Sequence, residues 1–188
     1  MAQEPGYHFD AHTQREVLRD PQEAAAWVDH LEAQGLVGEP MRVVWLRILG
    51  RLDEAEKLGW RVLNRSGGPG ARTDALDAPL PLSAVSAAIR LAHVLQWQGE
   101  FALACALHEQ ALASIEAVEP MSEDSAYADY LRPFAYQHLA RCYFDEGEYE
   151  KALECAQRAY ELRVNAGVPE DQVLSSSGLI DAVKARLN

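Results

Sequence analysis

"YFDEGEYEKAL", residues 143–153, sets a glycine and two tyrosines inside what otherwise reads as continuous helix. A looser version, "LQWQGEFALA", occupies 95–104, and a looser one still, "LRILGRLDEA", occupies 46–55. The three glycines stand 49 and 48 residues apart (50 to 99, 99 to 147). Glycine lets a chain reverse between two helices where a Cβ would be strained, so its recurrence between apolar helical stripes predicts repeated helical hairpins.

The rest of the composition agrees. Of 188 residues 48% are hydrophobic, enough for one domain with a real core. Val, Ile and Thr are sparse, while Ala, Leu, Glu, Gln and Arg, which lose little on entering a helix, dominate. The expected fold class is all-α. A net charge of −12 argues against nucleic acid, whose phosphates need a basic stripe, and against an anionic membrane surface. No run approaches the roughly 18–20 apolar residues of a membrane span. "MAQEPGYHFDAH" lacks the basic and apolar regions of a signal peptide, so a cytoplasmic location is expected. Cys105, Cys142 and Cys155 are odd in number and not closely paired, which suits small hydrophobes in a reducing compartment.

Read along the chain, residues 19–35 predict an N-terminal capping helix. Asp20 is its cap, Pro21 its first turn, Glu23 a capping-box carboxylate, and Ala24, Trp27, Val28 and Leu31 its apolar stripe. Residues 40–64 predict a degenerate first hairpin. A Gly- and Pro-dense flexible loop follows at 65–81; its "GGPGAR" lacks the lysine, the Ser/Thr and the preceding strand of a phosphate loop. Residues 82–118 and 123–166 form the next two hairpins, with Ser122 a candidate cap and Pro133 expected to kink or delimit its helix. A C-terminal capping helix is expected within 170–187, burying Val173, Ile180, Val183 and Leu187.

Around Gly147 the pattern reads Tyr136-x2-Leu139-Ala140-x2-Tyr143-x3-Gly147-x-Tyr149-x2-Ala152-x3-Ala156-x2-Ala159. This resembles the tetratricopeptide repeat, a spaced aromatic, leucine, small residue and aromatic followed by alanines on a second helix. The second copy keeps Leu91, Ala92, Leu95, Gly99, Phe101, Ala104 and Ala111, but has Ala88 and His108 where large apolar residues are usual. The first keeps Leu46, Gly50, Leu52, Ala55 and Val62, with Arg42 where a leucine is expected. The repeat exceeds the usual length of about 34 residues, which resembles the extended repeats of kinesin light chain-like proteins. The resemblance implies an α-α superhelical solenoid with a capping helix at each end. Tyr143 and Tyr149 should close over the turn, and Ala140, Ala152 and Ala159 should lie where helices approach closely.

Catalytic and cofactor motifs are missing: there is no G-x-S-x-G, H-E-x-x-H, dinucleotide fingerprint or C-x2-C. An enzyme, a cofactor and a metal are therefore not expected. His8 and His12 have ligand spacing only on a helix, and none is convincing there. His30, His93, His108 and His138 are dispersed, and each is expected at the surface or satisfied in the interior.

In the resembled family the first helix of each hairpin lines the concave face, where peptides and partner helices bind. Here those helices are 40–50, 82–99 and 130–144, and none contains Asp or Glu in a chain with 29 acidic residues. They carry Arg42, Arg47, Arg90, Arg132 and Arg141 with His93 and His138. Helical spacing sets Gln137, Arg141 and Phe144 opposite the Tyr136, Leu139 and Tyr143 face. Ile89, His93 and Trp97 take the corresponding side of the second hairpin, with Arg90 adjacent, and Val44, Arg47 and Ile48 that of the first. Two readings stand. In one, Arg47, Arg90, His93, Trp97, Gln137, Arg141 and Phe144 form a groove for an acidic or aromatic-bearing segment of a protein or peptide, since arginine and aromatics are what binding hot spots favour. In the other, acids are excluded because the helices are sandwiched, and the arginines snorkel. The expected function is a non-catalytic interaction module whose affinity falls with salt. The alternatives are a homodimer, with an acidic convex face meeting a basic concave one, and a peptide-sensing regulator.

Overall fold

The structure, a computed structural model, describes residues 3–70 and 79–188. The core of the loop expected at 65–81 falls on 71–78, outside the described residues. The element order is β1 (Tyr7–Phe9), β2 (Glu16–Leu18), α1 (Pro21–Ala33), a 3-10 turn at Gly35–Val37, α2 (Glu39–Ile48), α3 (Leu52–Arg65), α4 (Leu82–Trp97), α5 (Phe101–Glu116), α6 (Ser125–Glu146), α7 (Tyr149–Ala166) and α8 (Glu170–Leu187).

Each helix packs chiefly on its sequence neighbours, and α2, α4, α6 and α8 also touch in succession as a second layer. That is a stack of hairpins with one helix of each on the inner face. One apolar core runs from α1 into α6 and a smaller one joins α6, α7 and α8, with Tyr143 packed against both. Ala140, Ala152, Ala156 and Ala159 are completely buried, as close helix approach demands.

The three turn glycines adopt left-handed φ of 75°, 83° and 91° at Gly50, Gly99 and Gly147. A Cβ on any of them would meet nothing within 4 Å, so backbone conformation alone selects glycine. One residue on, the amides of Arg51, Glu100 and Glu148 donate to the carbonyls of Leu46, Leu95 and Tyr143, each at 2.9 Å. This is the six-to-one bond of a Schellman motif. The first hairpin, weakest in sequence, therefore turns in the same way as the other two. Gly59 illustrates the opposite need: a Cβ there would lie 2.9 Å from Leu91 Cδ1, so it is space between α3 and α4 that requires glycine.

Several local expectations are corrected. The all-α reading omitted the antiparallel hairpin of β1 and β2, whose register pairs Tyr7 with Leu18, His8 with Val17 and Phe9 with Glu16. Asp20 does cap α1, accepting from the amides of Gln22 and Glu23. Ser122 does not cap α6 with its side chain; its carbonyl instead accepts from Ser125. Pro133 does not delimit α6, which runs through it; the preceding-turn carbonyl it leaves unbonded belongs to Asp129, an exposed residue that water can serve. Tyr149 closes the Gly147 turn against Phe144 at 5.8 Å, not against Tyr143, whose hydroxyl donates to Glu109 on α5. In α8 the buried face centres on Ser176, Leu179 and Val183, while Leu187 is exposed.

Candidate functional site

The inner layer brings Arg47 (α2), Arg90 and His93 (α4), and Gln137 and Arg141 (α6) around one cavity of about 430 Å³. Trp97 and Phe144 do not line it. The groove is not open along its length, because the N-terminal hairpin lies in it. An Asx turn shapes that hairpin: Asp10 Oδ1 accepts from the amides of His12 and Thr13 and from the Thr13 hydroxyl. His8 sits on a strand and His12 in this turn, so the pair shares no helical face.

The hairpin is held at four helices. On α2, Arg47 donates from both terminal nitrogens to the two oxygens of Glu16, at 2.9 and 2.8 Å, with both side chains buried. Burial alone would raise the Glu16 carboxyl, but the adjacent Arg47 and the nearby Arg141 outweigh it and hold the group below the usual carboxylate range. On α4, the Trp97 ring carries both the Arg15 guanidinium (5.3 Å) and that of Arg47 (4.5 Å). On α6, Arg15 pairs with Asp145 at 3.0 Å, and the Arg141 guanidinium rests 4.2 Å over the Phe9 ring. On α8, Arg186 donates to the His12 carbonyl and covers the Phe144 ring at 5.6 Å.

Two sequence readings thus change. The face carrying Gln137, Arg141 and Phe144 is the more buried side of α6, not the freer one. Its cover comes from the chain's own termini. Arg47 is already neutralised by Glu16, and Trp97 and Phe144 already carry guanidinium groups on their rings. Burial is part of the reason acids are absent from 40–50, 82–99 and 130–144, and an acid supplied from elsewhere in the chain is the other part; α2 and α6 as folded reach beyond those bounds to Glu39, Asp129, Asp145 and Glu146.

Three arginines differ from Arg47. Arg90 donates to the Ser86 carbonyl at 3.0 Å, and burial lowers its pKa with only tyrosines opposing. Arg141 donates to Ser175 Oγ at 3.2 Å, and burial lowers its pKa too. Arg163, from α7, donates through one nitrogen to Gln137 Oε1 (3.3 Å), the Gln172 carbonyl (2.8 Å) and Ser176 Oγ (2.8 Å). Burial and then Arg141 lower it to about 10. Among the described residues none of the three has a carboxylate within ion-pair distance. Sequence reasoning missed Arg163, which lies on the second helix of its hairpin, and missed Glu16, Phe9 and Tyr7. The period-two runs "YHF" and "EVL", flanking a turn-forming Asp10, were the available signal.

Three of the histidines expected to be dispersed, His93, His108 and His138, come together at the cavity wall and behind it. The rings of His93 and His138 lie 4.9 Å apart, and His108 stacks on His138 at 6.1 Å. Burial foremost, then nearby guanidinium groups, pushes His93 and His138 well below the ordinary range, so both face the cavity neutral. Among the described residues no cluster of three metal-ligating side chains forms, and no helix is long and apolar enough to cross a membrane.

A family model described as Tetratricopeptide repeat matches residues 83–165, from the start of α4 to the end of α7. The match is to the repeat family and does not separate out a kinesin light chain-like type. No curated protein and no solved structure matches the chain.

Proposed function

We propose that this chain, a tetratricopeptide-repeat protein over residues 83–165, is a non-catalytic interaction module that receives an acidic or aromatic-bearing segment of another protein on its concave face. Repeats of this family mediate protein–protein interaction. The observation that carries the finer reading is the trio Arg90, Arg141 and Arg163, gathered at one cavity with no carboxylate partner among the described residues. Arg47 is the internal precedent: on the same lining, an arginine already holds a carboxylate through two bonds. His93 and Gln137 shape the wall, and Trp97 and Phe144 support the hairpin that forms the floor. Its three free cysteines suit a reducing compartment, so we place the module in the cytoplasm.

Because Arg141 is only 5% exposed, salt weakens binding less than it would for a surface pair. The test is affinity capture from lysate with wild type beside Arg90→Glu, both with verified helical circular dichroism. Proteins held by wild type and lost by the variant support the groove. Equal recovery by both forms refutes it, and light scattering then shows whether the chain binds its own copies.

A further inference from the structure

The cavity carries more positive charge than its lining neutralises. Four arginines, Arg47, Arg90, Arg141 and Arg163, border it against two carboxylates, Glu16 and Asp171. His93 and His138 add none, being neutral, so two positive charges remain. Arg141 on α6 and Arg163 on α7 are 5% and 4% exposed. A buried cation without a counter-ion is costly, and a fold keeps one where something else completes the site.

The donors left over say which kind of anion completes it. A guanidinium has five N–H donors. Arg141 gives one nitrogen to Ser175 Oγ, while Arg163 turns a single nitrogen toward Gln137 Oε1, the Gln172 carbonyl and Ser176 Oγ. The two side chains thus meet α8 at neighbouring serines. The Nε of each is buried without a hydrogen-bond partner, as is Nδ1 of His138 on the same lining. A planar carboxylate is filled by one guanidinium, as Glu16 is by Arg47. Two guanidinium groups arriving from different helices call for more oxygens, not all in one plane. A phosphate monoester brings three strong acceptor oxygens and a charge of about −1.5 to −2 at neutral pH, which matches the charge left over.

The rest of the lining describes the body that carries the phosphate. The Phe134 ring lies 5.4 Å from the Arg163 guanidinium and 5.4 Å from the Tyr130 ring. Val44, Ile89 and Leu131 extend this apolar wall. A flat ring has a surface to stack on there, directly beside the arginines. The volume of about 430 Å³ suits a small ligand, toward the lower end of the roughly 300–1,000 Å³ of such sites.

We infer that this cavity binds a phosphate monoester whose body carries a flat ring, with Arg141 and Arg163 holding the phosphate and Phe134 the ring. Two sources present this chemistry: a free nucleotide, or a phosphotyrosine side chain of a partner protein. Resting on the proposed reading of the concave face as a binding surface, this assignment replaces an extended segment with a compact phosphorylated head.

Calorimetric titration of the full chain tests it. Phenyl phosphate should bind with Kd below about 1 mM. Phenyl sulfate, of the same shape with one charge fewer, and glycerol phosphate, which lacks the ring, should each bind about tenfold or more weakly. Glutarate, which has two carboxylates and no phosphate, should be weaker by a similar factor. Arg141→Gln should lose about tenfold or more in affinity for phenyl phosphate, whereas Arg158→Gln, at an exposed site on α7, should change nothing. Adenosine monophosphate and acetyl-phosphotyrosine-amide separate the sources: whichever binds more tightly than phenyl phosphate names the ligand, and if neither does, the ligand is a small free aryl phosphate. Should Arg141→Gln fail to fold, nitrogen-15 spectra of wild type should show phenyl phosphate shifting the guanidinium resonances of Arg141 and Arg163. The assignment is overturned if none of the three ring-bearing phosphates binds with Kd below about 1 mM. Phenyl sulfate or glutarate binding as tightly as phenyl phosphate overturns it too, as do equal effects of Arg141→Gln and Arg158→Gln. The groove reading fails separately, in lysate capture that ignores Arg90→Glu, because Arg90 takes no part in holding the phosphate.

Discussion

His108 is the buried group whose removal should stabilise the protein. It sits on α5 with 0% exposure, and neither ring nitrogen has a hydrogen-bond partner. Burial lowers its pKa from the ordinary 6.5 to about 3. Below pH 6.5 the unfolded chain binds a proton here that the folded chain refuses, so stability rises with pH across the window from about 3 to 6.5. Each pH unit in that window is worth about 1.4 kcal/mol, so acidification to pH 4.5 costs on the order of 3 kcal/mol from this residue alone. His108→Leu keeps a similar volume, restores the apolar type usual at this repeat position, and leaves no orphaned nitrogen. At pH 7.5 it should stabilise the fold by about 1–3 kcal/mol, the cost of an unsatisfied buried polar group. Urea unfolding followed by circular dichroism at pH 7.5, 6 and 5 measures both effects. His93 and His138 stay in the variant, so a slope persists but should fall by about 1.4 kcal/mol per pH unit below 6. A variant less stable than wild type at pH 7.5, or one with the wild-type slope, refutes the reasoning.

Other outcomes follow from the packing. Ala152→Leu, at a fully buried position between α6 and α7, should cost about 1–3 kcal/mol by overpacking; an unchanged melting curve contradicts that placement. Gly99→Ala meets open space and should cost only the left-handed backbone term of about 1–2 kcal/mol. Gly59→Ala must instead push Leu91 aside, so a second change, Leu91→Ala, should relieve part of the Gly59→Ala penalty and none of the Gly99→Ala penalty. Burial raises the Cys155 thiol to about 11, and the hydrogen bond with Cys105 foremost, then burial, pushes the Cys142 thiol up. Alkylation of the native protein at pH 8 should therefore be far slower than of the urea-unfolded chain, and Cys142 should react only on unfolding.

The repeat was legible because its signal is local and recurs. A left-handed turn accepts glycine almost alone, and three such turns about 48 residues apart announce three hairpins even where Arg42 and Ala88 spoil the apolar pattern. What covers the concave face was not legible. Glu16 finds Arg47 across 31 residues and Arg15 finds Asp145 across 130. The strands that carry Glu16 and Phe9 are three residues each, so the period-two signal in "YHF" and "EVL" is faint beside that of the helices. Which face of α6 is buried depended on these distant partners. A symmetric pattern of apolar and small residues around the helix left that choice to tertiary contacts. The histidine cluster was hidden for the same reason: His93, His108 and His138 lie on three different helices, and only the stack brings their rings together.

The hairpin also changes what kind of mechanical object the stack is. A solenoid held by neighbour contacts alone behaves as a spring, its stiffness a sum over successive interfaces. Here Glu16, Arg15, Phe9 and the His12 carbonyl fasten one short segment to α2, α4, α6 and α8 in turn. That segment is a chord drawn across the arc. With both ends of the arc tied to it, the radius of curvature is set by the length of the chord, and the inner face keeps one width.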